Sequence, residues 1–92
     1  MDKILNYING EFVEPHSKIY LENYNPAEGK PYSLVPDSDA QDVQLATEAA
    51  QRAFGAWSAM AVEKRSAILQ KIADLIDRDL DELALAESTD QG

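Results

Sequence analysis

Cysteine is absent from all 92 residues. That gap excludes a disulfide framework, a thiolate metal site and a cysteine nucleophile together. A reducing, cytoplasmic compartment is the expectation it permits. Basic residues are scarce too. Eight Lys and Arg, scattered along the chain, face seventeen Asp and Glu for a net charge of −9. A phosphate backbone requires a basic footprint, so neither nucleic acid nor an anionic membrane surface is an expected partner. Long hydrophobic runs are also missing, with nothing near the roughly 20 apolar residues of a spanning helix. Met1-Asp2-Lys3-Ile4-Leu5 has neither the basic start nor the apolar centre of a signal peptide. The glycines at 10, 29, 55 and 92 make no Gly-x-Gly-x-x-Gly spacing, so the dinucleotide fingerprint is lacking. A chain this short buries only about two-thirds of its unfolded surface. Residues 1–92 therefore read as a single incomplete unit with a thin core and no visible staple.

What is present divides in two. Residues 1–36 form a β-rich hairpin segment. Ile4 to Ile8 and Glu11 to Val13 flank Asn9-Gly10, a pair suited to a type I′ turn because both central residues need positive φ. That register sets Tyr7 opposite Phe12. Pro15 ends the second strand. Ser17 to Asn23 is a third extended run, and Tyr32 to Val35 a fourth, bracketed by Pro31 and Pro36 and so expected at an edge. Between them, Asn25-Pro26-Ala27-Glu28-Gly29 is a turn: Asn25 can form an Asx-turn, Pro26 presets φ, and Gly29 can turn left-handed.

Residues 37–92 form a two-helix segment. Ser38 with Gln41 gives a capping-box spacing. Val43, Ala46, Ala50, Phe54 and Trp57 then recur every three or four residues, one apolar face. Glu48 and Arg52 are spaced as an i,i+4 pair, and Gly55 marks the expected end. The second helix runs from about Val62 to about Ser88, with Ile68, Leu69, Ile72, Leu75, Ile76, Leu80 and Leu83 in a stripe. The fold class is α+β: an N-terminal β-hairpin plus one or two short strands, followed by two packed α-helices.

Four motifs stand in one order: Tyr7-Ile8-Asn9-Gly10-Glu11-Phe12, Asn25-Pro26-Ala27-Glu28-Gly29, Val35-Pro36-Asp37-Ser38-Asp39, and Phe54-x-x-Trp57-Ser58 leading to Glu87-Ser88-Thr89-Asp90-Gln91-Gly92. Together they resemble the N-terminal part of NAD(P)-dependent aldehyde dehydrogenases. The third and fourth look most like the branch that oxidises 2-amino- or 2-hydroxymuconic semialdehyde. The resemblance implies a partial coenzyme-binding domain, part of an α/β enzyme that oxidises an aldehyde to a carboxylate. The family's catalytic cysteine, glutamate and asparagine match nothing in residues 1–92, so no catalytic or cofactor-binding residue is expected here. NAD or NADP belongs to the intact family members, not to these residues alone. One site carries over. Related enzymes bind a monovalent metal cation through the backbone oxygens of the two residues before Asn-Pro, here Asn23 and Tyr24, aided by an Asp expected outside these residues.

Other candidates are weaker than their structural readings. His16, between Pro15 and Ser17, reads as a loop residue. Glu63, Glu82 and Glu87 read as solvated helix faces, and Trp57 as a packing anchor. Asp37-Ser38-Asp39 resembles the modified serine of acyl carrier proteins only loosely, since the β N-terminus departs from their helical bundle. Expected partners are the remainder of an enzyme, or a second copy docked through apolar helix faces, making a homo-oligomer. The alternative to a non-catalytic N-terminal piece is a free-standing acidic interaction module.

Overall fold

The computed structural model describes residues 1–92. It contains five strands, β1 (Asp2–Lys3), β2 (Asn6–Ile8), β3 (Glu11–Val13), β4 (Tyr20–Asn25) and β5 (Lys30–Pro36), then three helices, α1 (Ala40–Ala59), α2 (Val62–Arg78) and α3 (Leu80–Gln91). The α+β class expected from the sequence is what forms.

Asn9 and Gly10 take φ of 53° and 79° and close β2 onto β3 antiparallel. Tyr7 lies opposite Phe12, their ring centroids 5.0 Å apart. The hairpin is a sheet of its own. A second sheet has the order β1-β5-β4, with β1 parallel to β5 and β4 antiparallel to it. The run expected as one strand from Ile4 to Ile8 is thus divided. Asp2 and Lys3 pair with Ser33 and Leu34, and only the residues from Asn6 onward enter the hairpin.

β5 was expected at an edge and is the central strand. Its prolines are tolerated because β1 pairs with Ser33 and Leu34 alone, between them. Tyr24 pairs with Pro31 while Asn23 pairs with Ser33, so Tyr32 is an extra residue, a bulge in β5. The turn behaves as its residues dictate. Asn25 Oδ1 accepts from the Ala27 amide at 3.0 Å, and Gly29 has φ 67°.

The helices depart further from expectation. Asp39, not Ser38, caps α1. Its side chain accepts from the Gln41 and Asp42 amides, and Asp42 returns a bond from the Asp39 amide, a reciprocal capping box one residue later than predicted. Ser38 instead accepts from the Asn6 side chain at 2.9 Å. α1 also runs through Gly55 to Ala59, since one glycine lowers helix propensity without breaking it. Glu48 accepts from Gln44 at 3.0 Å, and neither ion pair of the chain joins it to Arg52. The second predicted helix breaks at Asp79 into α2 and α3. Arg78 grips the Asp79 carboxylate with two bonds of 3.0 and 2.9 Å there. Hence there are three helices rather than two, and they are not packed apolar face to apolar face. α1 lies against β2, α3 against β4, and α2 meets α3.

The consequence is a molecule without a core. No apolar side chain other than Pro15 is buried, and Phe54, Leu69 and Ile72 are 67%, 60% and 48% exposed. The radius of gyration is 16.7 Å, whereas a compact chain of this length has about 12 Å. No helix is long and apolar enough to cross a membrane.

Candidate functional site

The bulge in β5 gathers polar side chains. Ordinary alternation would send Tyr32 and Ser33 to opposite faces of the sheet. With an extra residue at Tyr32, both reach one amide: Asn23 Nδ2 lies 3.3 Å from Tyr32 Oη and 3.1 Å from Ser33 Oγ. Ser33 is one of only three buried residues. From the far end of the chain, α3 brings Asp90 to the same point. Asp90 Oδ1 accepts from Asn23 Nδ2 at 2.8 Å and from the Tyr32 hydroxyl at 2.7 Å. This clasp fastens the last turn of α3 to the sheet. The bonds from Asn23 and then Tyr32 hold the Asp90 carboxyl below its ordinary value. Asp90 in turn pushes the Tyr32 hydroxyl above its own ordinary value, with partial burial adding to the rise.

Asn23 and Tyr24, the two residues read from the sequence as cation ligands, sit beside this bulge. Pro31 faces Tyr24 across the ladder and has no N–H to offer its carbonyl. Asp90 uses Oδ1 for both bonds of the clasp. Its Oδ2 accepts from no other side chain. The sequence reading placed the helping carboxylate outside these residues; Asp90 is bonded to the side chain of Asn23 rather than set against its backbone oxygen. No cluster of three His, Cys, Asp or Glu side chains that could hold a metal ion exists. Asp90 was quoted in the C-terminal motif without a role. A contact spanning 67 residues leaves no local signal.

A second knot joins the hairpin to α1. The His16 amide donates to Asp42 Oδ1 at 2.9 Å, and the His16 ring lies 3.1 Å from Asp39 Oδ2. Asp42 is 5% exposed, and Pro15, next to His16, is the most buried side chain. His16 was read as a plain loop residue; it is a loop residue that closes the α1 cap. The His16 ring contact and then the Asp42 amide keep the Asp39 carboxyl low. Its function is structural. Two carboxylates also occupy the N-terminus of α1, where a helix would otherwise receive a phosphate. The N-terminus of α2 carries Glu63 in its first turn. With no glycine-rich loop, these residues do not fit a dinucleotide pyrophosphate.

Residues 12–92 match the model of the aldehyde dehydrogenase family. The chain belongs to that family. It is 45% identical over 87 residues to 2-aminomuconic semialdehyde dehydrogenase of Bos taurus and 48% identical to the protein of that name in Danio rerio, covering 95% of this chain and 18% of each relative. An aldehyde dehydrogenase of Vibrio cholerae is 44% identical over 87 residues, 17% of its length. The chain thus spans less than one-fifth of the curated relatives it matches.

Proposed function

We propose that these residues are a non-catalytic N-terminal scaffold of an enzyme that oxidises an aldehyde to a carboxylate with NAD(P)+. The observation that carries this reading is the pairing of an 81-residue family match (residues 12–92) with a fold that leaves its apolar faces uncovered. In the reaction implied by the family, a cysteine attacks the aldehyde, hydride passes to nicotinamide, and a glutamate-activated water releases the acid. None of those groups lies here. What this chain supplies is position. The clasp and the His16 knot hold sheet, hairpin and helices in register, so that their exposed stripes present one preformed surface to the remaining polypeptide.

Similarity to the muconic semialdehyde enzymes supports a short, acidic, unsaturated semialdehyde as the substrate of the whole protein. The carbonyls of Asn23 and Tyr24, with Asp90, would hold a monovalent cation that pins the sheet to α3. A chimera tests the scaffold reading. This chain replaces the corresponding 87 residues of the bovine relative. Retained aldehyde-dependent NAD(P)+ reduction is the expected result; a soluble, folded chimera without turnover would refute the assignment.

A further inference from the structure

The chain has four asparagines, Asn6, Asn9, Asn23 and Asn25. Three of their side chains are occupied. Asn6 donates to Ser38, Asn23 bonds in the clasp, and Asn25 accepts from the Ala27 amide. Asn9 is different. It lies exposed at the tip of the hairpin, and its carboxamide joins no hydrogen bond of the chain. The residue that follows also differs. Asn6 and Asn23 precede Tyr7 and Tyr24, whose bulk hinders approach to the peptide nitrogen, and Pro26 offers no N–H after Asn25. Gly10 has no side chain, and a Cβ placed there meets no atom within 4 Å. Its N–H donates to no backbone oxygen, because the ladder pairs Ile8 with Glu11 and passes it by. A groove of about 380 Å³ lies between this turn and Ala46, Ala49, Ala50 and Ala53 of α1. An unengaged electrophile, an unengaged nucleophile and open space thus meet at one peptide bond.

We propose that Asn9 is a site of spontaneous covalent modification, with water as the co-reactant. The Gly10 nitrogen attacks Asn9 Cγ. The new N–Cγ bond forms, the Cγ–Nδ2 bond breaks, and the Gly10 amide proton leaves with Nδ2 as ammonia. The product is a five-membered cyclic imide. Water then adds to one of its two carbonyls. Opening at Cγ gives aspartate, and opening at the main-chain carbonyl leaves Gly10 joined through Cγ, an isoaspartate. One water enters and one ammonia departs, with no oxidant or reductant. Ring closure requires Asn9 to rotate out of the turn, and only three residue pairs hold β2 to β3. A hairpin of that size is marginal by itself, so the turn opens often enough to react. The two products differ in consequence. An aspartate before Gly10 suits the same type I′ turn. Isoaspartate lengthens the main chain by one carbon, which breaks the register of Tyr7 against Phe12. Either product adds a negative charge to a chain already at −9. The inference concerns one covalent bond and stands apart from the scaffold reading.

Incubation of the purified chain in heavy-oxygen water at physiological temperature, with and without guanidinium, tests it. Peptide mass mapping locates the incorporated oxygen, and electron-based fragmentation separates isoaspartate from aspartate. The readout is covalent and requires no folded core. One heavy oxygen is expected in the peptide that holds Asn9, in buffer as well as in guanidinium. Its rate should rise with pH, because the Gly10 amide must lose its proton. Peptides holding Asn6, Asn23 and Asn25 should keep their starting mass over the same period. Asn9→Gly keeps a pair suited to the turn but has no carboxamide, and is expected to reduce ammonia release and isoaspartate to background. An Asn9 that reacts only in guanidinium would show that the turn seals it, and would overturn the proposal. So would an Asn9 intact under both conditions, conversion of the other asparagines as fast as Asn9, or ammonia release unchanged in Asn9→Gly.

Discussion

Two aspartates fasten this molecule by different physics. Asp42 is buried and accepts from two backbone amides, those of His16 and Asp39. Asp42→Ala leaves both donors unpaired away from water, a loss of about 1–3 kcal/mol. Faster amide exchange at His16, Asp39 and the first turn of α1 is the expected readout; unchanged protection there would show the knot idle. Asp90 is exposed and depends on its charge. Its folded-state pKa lies below the ordinary 3.8, so its contribution is present above that value and lost as pH falls through the folded one. Tyr32 runs the other way. Its pKa is raised above 10.0, so its contribution is present below 10.0 and lost as pH rises further. The clasp is therefore expected to persist between these limits and open beyond either, seen in the amide shifts of α3 by NMR. Asp90→Asn should loosen α3 at neutral pH and abolish any stabilisation by sodium over tetramethylammonium. Equal behaviour of parent and variant would remove the cation from the account.

Elements were legible where their signals are local. Asn9-Gly10, the Asx-turn at Asn25 and the apolar spacing of both helical runs each rest on residues within a few positions. The failures share a cause. β1 pairs with β5 across some 30 residues, and no local pattern reveals such a partner. Pro31 and Pro36 suggested an edge because the brevity of β1 could not be foreseen. The break at Asp79 sits inside a continuous apolar stripe, which periodicity reads straight through. Gly55 invites a test at this scale. A Cβ added there meets no atom within 4 Å. Gly55→Ala should stabilise α1 by about 1 kcal/mol and raise helicity in circular dichroism. A loss of helicity would mean that the residue marks a terminus after all.

At the scale of the whole molecule, Asn23 and Tyr24 were singled out through resemblance, whereas the clasp of Tyr32, Ser33 and Asp90 beside them emerged only when the chain was folded. The larger lesson lies in what stays uncovered. Apolar stripes at helical spacing predicted helices packed on each other. In the structure Phe54, Leu69 and Ile72 remain outside, because α1 and α3 turn to the sheets instead. A domain needs packed layers around a shared core, and no apolar side chain but that of Pro15 is buried here. The reaction proposed above for the whole protein uses a thiol, and this chain has no cysteine. The most direct measurement mixes the purified polypeptide with an aldehyde and NAD+ or NADP+ and follows nicotinamide absorbance. A trace indistinguishable from buffer is predicted. A saturable, enzyme-proportional rate would contradict the account.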